Sequence, residues 1–182
     1  MRYVIAPKEC KLTVKAFAAG MLSSLAHNPT FAVRNFDGEI ELETNGGLSG
    51  SLKLKIVSDS IELIDEFSPR ERWDIMHIMQ DEILEVGKFP NIVYDAPISR
   101  TTVKSAGGVH YDVNMKGDLK LHGVTRALPV GARVLLREDS LRASGDFSIR
   151  QPDFQLRPVT VAGSMMKVKE EVKLTFDVVA HK

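Results

Sequence analysis

Tyr111 to Val134, YDVNMKGDLKLHGVTRALPVGARV, decides how this 182-residue chain folds. From Val113 to Leu121 the apolar residues Val113, Met115, Leu119 and Leu121 stand at odd positions, with Asn114, Lys116, Asp118 and Lys120 between them. Side chains of a strand alternate between faces, so this pattern is a strand with one wet and one dry face. After His122-Gly123 the dry face moves to even positions, at Leu128, Val130, Ala132 and Val134. A change of parity marks a tight turn or an extra residue, and Gly123 tolerates the backbone of either. The segment therefore predicts two long antiparallel strands meeting at His122-Gly123-Val124-Thr125.

The same alternation recurs on both sides. Leu12, Val14, Ala16 and Ala18 read as a first strand. Phe31 to Glu43 is a second, with a bulge expected near Arg34-Asn35, where the parity shifts. Asn45-Gly46-Gly47 is a turn signal before Leu52, Leu54 and Ile56. Ile92, Tyr94, Ala96 and Ile98 begin another strand, Leu141 to Ile149 form the next dry face, and Val172 to Ala180 the last. Met21 to His27 is apolar without alternation and predicts a short helical turn or lid, stopped at Asn28-Pro29. One real helix interrupts the strands. Ser68-Pro69-Arg70-Glu71 has the capping-box form, and Trp73, Met76, Met79 or Gln80, Ile83 and Leu84 follow at helical spacing, with Gly87 as the expected stop. The chain thus predicts one all-β domain over residues 1–182, with one helix, folded as an antiparallel barrel or sandwich. Periodicity leaves open whether its interior is filled or hollow.

Composition narrows the function. Lys+Arg and Asp+Glu both number 24, and the basic residues are spread along outward faces, which argues against nucleic acid. A single cysteine, Cys10, cannot form an internal disulfide. No apolar run reaches membrane-spanning length, so no membrane insertion is expected. The start, MRYVIAPKECKL, lacks the apolar core of a signal peptide. That predicts a cytoplasmic protein, or a periplasmic one whose export signal has been removed. The five histidines, His27, His77, His110, His122 and His181, fall in no metal-binding spacing, and no phosphate loop or nucleophile elbow is present. No catalytic residue, metal ligand or cofactor is assigned.

The candidates for binding are few. His27 and Asn28 end the apolar lid, where they would meet a ligand headgroup; a turn or cap is the simpler role. Arg150 and Asp153 flank a turn, where an ion pair is the plainer reading. Met21, Leu22, Leu25, Trp73, Met76 and Met79 are apolar candidates, with core packing as the alternative. Ala143, with Ala132, Gly145 and Ala180, places small residues along an inward wall, which favours a tunnel. His122 reads as a turn residue.

Four segments carry a resemblance to a known family. Phe36-Asp37-Gly38-Glu39-Ile40 resembles an F-x-G-x-I strand, and Ile83 to Tyr94, ILEVGKFPNIVY, a helix end followed by a Y/F-P-x-I strand. Gly117 to Val130, GDLKLHGVTRALPV, is close to a G-x-L-x-[LI]-H-G-V-T-[KR]-x-[LV] signature, and Ser148 to Phe154, SIRQPDF, resembles I-x-R-x-D-F. Together they resemble the YceI-like family of lipocalin-like, polyisoprenoid-binding bacterial proteins. The family's glycine after D-F is replaced by Gln155. The resemblance implies an extended antiparallel barrel with one helix beside its opening and an apolar cavity. The cavity would take an isoprenoid lipid or quinone tail. The expected function is binding or carriage of a polyisoprenoid or similar long apolar molecule, without catalysis. Two rivals stay open: an enzyme acting on a lipid or quinone inside the barrel, and a structural domain with a filled core, for instance a homodimer through a barrel face.

Overall fold

The central hairpin keeps one register from end to end. Val124 faces Leu121 across the turn, and Leu136 faces Val109 at the far end. His122 and Gly123 both have positive φ, 51° and 73°, the type I′ geometry whose twist suits a two-residue hairpin. A Cβ on Gly123 would also lie 2.8 Å from the ring of Phe89, so two independent constraints favour glycine there. The computed structural model describes residues 1–19, 28–43, 49–105, 109–157 and 167–182.

The chain begins with β1 (Arg2–Ile5), β2 (Lys11–Lys15), β3 (Ala18–Ala19), β4 (Thr30–Val33), β5 (Phe36–Glu43), β6 (Ser49–Val57) and β7 (Ile61–Leu63). Helix α1 (Pro69–His77) follows and widens into a π-helix over Ile78–Ile83. Then come β8 (Asn91–Ser105), β9 (Val109–Leu121), β10 (Val124–Leu136), β11 (Ser140–Arg150), β12 (Lys167–Val168) and β13 (Glu171–His181). Eight strands close a ring in the order β1-β5-β6-β8-β9-β10-β11-β13 and back to β1, every neighbour antiparallel. Closure leaves no sheet edge around this ring.

β13 is long enough to serve two partners on one side. Its end, Ala180 and His181, pairs with β1, and its middle, Lys173 to Asp177, pairs with β2. β1 and β2 are thus one broken strand, interrupted by a 3-10 turn at Pro7–Glu9. The bulge expected at Arg34-Asn35 is a full break. β4 pairs with β2 and β7, while β5 pairs with β1 and β6. Near Val57 the chain leaves β8, turns at Ser58–Ser60, and continues as β7 beside β4. The barrel wall therefore splits at this end, and the helix fills the gap.

That docking has specific contacts. Arg72 Nη1 donates to the carbonyl of Leu63 at 2.6 Å, and the Leu63 N–H reaches Met76 Sδ at 3.3 Å. Both backbone groups of the outermost strand residue are satisfied by helix side chains, as an edge requires. Ser68 caps α1 with a complete capping box, as its sequence predicts. The helix does not run to Gly87, however. The left-handed residue behind it is Glu85, φ 44°, whose carbonyl accepts from both Lys88 and Phe89. The wider π turn brings the chain round before Gly87 is reached.

Candidate ligand cavity

Alternation along the strands sends one set of side chains inward. On β10 these are Leu128, Val130, Ala132 and Val134; on β9, Val113, Met115, Leu119 and Leu121. Instead of closing on one another they surround a cavity of about 680 Å³, inside the range of small-molecule sites. Its lining on β9 runs from Val113 to Leu121, about 27 Å of strand. With strands tilted about 40°, that is roughly 20 Å along the axis.

The two ends of this bore differ. At one end lie the tight turn between β10 and β11 and both chain termini, and Tyr3, Leu42, Leu141 and Ala180 are each no more than 2% exposed, with Leu42 and Leu141 lining the cavity there. At the other end the lining comes from α1 and its π extension through Glu71, Asp74, Ile75, Ile78 and Met79, from Phe17 and Ala18, and from Gln151, Leu156 and Val168. Apart from Glu71, Asp74 and Gln151 at this open end, the polar lining residues are Thr13, Thr175 and Tyr94. The Tyr94 hydroxyl donates to the carbonyl of Leu128 at 3.0 Å, and burial pushes its phenol up. Beside it on β9 is Gly117, where a Cβ would stand 2.4 Å from Ala96 Cβ; only the absent side chain lets β8 and β9 approach so closely there.

Among the candidates read from sequence, Met79 and Ala143 line the cavity. Trp73 is 64% exposed and stacks on His77, ring centroids 5.0 Å apart. Met76 is spent on β7. Asn28 is exposed, and its side-chain oxygen accepts the Ala18 N–H at 2.9 Å. Arg150 pairs with Glu170 at 2.7 Å and lies 3.8 Å from Asp153. Arg150 and Asp153 border a shallow cleft with Arg126 on the outer surface, apart from the bore. Met21, Leu22, Leu25 and His27 lie outside the described residues. Of the small residues, Ala132 and Ala143 face the cavity, while Gly145 makes room for the Phe176 ring and the Gly131 carbonyl.

Gln151, Glu71 and Asp74 were not anticipated, yet each had a signal. The inward odd positions of β11, from Leu141 to Ile149, extend by two to Gln151, which is 5% exposed and donates to the Lys169 carbonyl at 3.0 Å. On the helix the large Trp73 misleads. The inward stripe is Glu71, Asp74, Ile75, Ile78 and Met79, which also has helical spacing. His122 is the expected turn residue, but its side chain is only 11% exposed. Its Nε2 lies 2.8 Å from Glu85 Oε2, and it packs on Phe89 at 4.4 Å between centroids. Hydrogen bonds from Lys88 first, then from His122, hold the Glu85 carboxyl below the usual range. Among the described residues, no group of three His, Cys, Asp or Glu is placed to hold a metal ion. No helix there is long and apolar enough to cross a membrane.

Solved structures share this architecture. BcnA from Burkholderia cenocepacia superposes with a TM-score of 0.68 at 16% identity, covering 96% of this chain and 98% of its own. A polyisoprenoid binding domain from Saccharophagus degradans, implicated in plant cell wall breakdown, has a TM-score of 0.69 at 16% identity, with 98% and 97% covered. The YceI protein of Campylobacter jejuni has a TM-score of 0.58 at 17% identity, with 84% of each chain covered. At such identities the likeness establishes the fold alone. No curated protein matches the chain. The family model of the YceI-like domain, however, matches residues 3–180, and with the lipocalin-like barrel around its apolar bore this chain belongs to the YceI-like family.

Proposed function

We propose that the barrel binds and carries a polyisoprenoid, an isoprenoid quinone or a similar long apolar lipid. The observation that carries this reading is the bore itself: long and walled by Leu, Val, Ile and Phe. Water in such a space finds too few polar partners, so an apolar occupant is favoured. Burying each methylene-sized group gains about 0.8 kcal/mol, so a tail of roughly twenty carbons gains about 16 kcal/mol. Association costs about 4–15 kcal/mol, so a long tail binds and a short one does not. An enzyme in this barrel would need an acid–base pair at the reacting atoms. The carboxylates of the lining sit at the rim, which favours binding over catalysis. The Saccharophagus degradans domain, described as polyisoprenoid binding, supports the same reading.

The test is Ala143→Trp, which places an indole in the bore. The variant should stay folded and carry much less lipid than the parent protein in organic extracts. Equal lipid in both proteins would contradict the reading.

A further inference from the structure

The open end also bears on which lipid head is accepted. Away from the open end the described polar lining residues are Thr13, Thr175 and Tyr94, whose hydroxyl is already bonded to the Leu128 carbonyl, so a polar head buried there would lose most of its hydrogen bonds. The head must therefore lie among Glu71, Asp74 and Gln151. Glu71 is engaged in the capping box, its carboxylate accepting the N–H of Ser68 at 3.1 Å and the hydroxyl at 2.5 Å. The Asp74 carboxylate, one helical turn further on, is exposed and has no partner among the described residues. No lysine, arginine or histidine whose side chain is described lines the cavity. The undescribed stretches 20–27, 44–48, 106–108 and 158–166 contain no lysine or arginine, and His27 is the one residue in them able to turn cationic; the side chains of Arg100, Lys104 and Lys167 also lie outside the described set. The N-terminus of α1 would attract an anion, but Ser68 and Glu71 already cap it.

We propose that this opening selects lipids whose heads donate hydrogen bonds, neutral or cationic, and rejects phosphorylated ones, with Asp74 as the determining residue. The proposal rests on the carrier reading above. An anionic head beside an unpaired carboxylate suffers like-charge repulsion; Lys169 stands at this end, its Nζ 5.9 Å from the centroid of the Phe17 ring, but it is not itself among the lining residues. A hydroxyl or ammonium head instead finds an acceptor. The effect is electrostatic and at the surface, so it weakens with salt.

Geranylgeraniol, geranylgeranylamine and geranylgeranyl phosphate share one tail and differ only in the head, so calorimetric titration of the three isolates the head. In low salt the amine and the alcohol should bind, and the phosphate at least about tenfold more weakly. Asp74→Asn should narrow the gap, and Asp74→Lys should reverse the order of amine and phosphate. Because Asp74 is exposed, both variants are expected to keep the fold. Phosphate binding as tightly as alcohol to the parent protein would overturn the proposal while leaving the carrier reading intact. An unchanged gap in Asp74→Lys would overturn the role of Asp74. If none of the three binds, the carrier reading itself falls, and this proposal with it.

Discussion

The closed and open ends of the barrel are made from the same strands by different means. At the closed end the strands run on into the β10–β11 turn, and Tyr3, Leu42, Leu141 and Ala180 are buried there. At the open end the wall splits. β1/β2 and β4/β5 break, β7 leaves β6, and a helix with a π segment closes the gap. One end keeps regular alternation, the other is assembled from interruptions. The interruptions put polar groups beside the bore.

The wall that joins the two ends is the most sensitive place. At Gly117 a Cβ would meet Ala96 Cβ at 2.4 Å and the Asp95 carbonyl at 2.5 Å. Gly117→Val should cost about 3 kcal/mol or more, a fall in melting temperature of roughly 6–12 °C. An unchanged melting temperature would mean the strands can separate there. Next in size is a matched pair. Leu42 is 2% exposed at the closed end and Met79 is 8% exposed at the open one. Leu42→Ala should cost about 3–4 kcal/mol and Met79→Ala about 2 or less. Both line the cavity, but Met79 is the more exposed of the two, so fewer packed atoms are lost. Denaturant melts that reversed this order would show the open end to be the tighter one.

The smallest effect has the opposite sign. Gln155, where the resemblance expects glycine, has φ 58° at the end of the 3-10 turn Gln151–Phe154. A side chain pays for this conformation, so Gln155→Gly should stabilise by up to about 1 kcal/mol. Loss of stability on that change would indicate that the glutamine side chain holds the turn.

The same contrast explains what could be read from the chain. β9, β10, β11 and β13 are long, one face wet and one dry, so their residues announce them. The N-cap of α1 is equally local, because Ser68 and Glu71 are three residues apart. β1 and β7, with four and three residues, are too short for alternation to be distinctive, and β1 forms because β13 and β5 flank it. The inward face of the helix was obscured by Trp73, whose size suggests burial although its ring lies on the surface. Arg150 and Asp153 drew attention by their charge, but the residue between them that reaches the bore is the uncharged Gln151. The polar rim depends on how the helix is rotated in the gap, and that rotation is decided by long-range packing.

The central claim is that the bore holds a single long apolar molecule. Native mass spectrometry of freshly purified protein, repeated after organic extraction, tests it directly. The account predicts one adduct per chain before extraction, its loss afterwards, and recovery of the lost mass in the organic phase as a lipid with a long hydrocarbon tail. Added geranylgeraniol should then rebind the emptied protein and raise its melting temperature. A protein that is purified without an adduct, and neither binds nor is stabilised by the added lipid, would contradict the account.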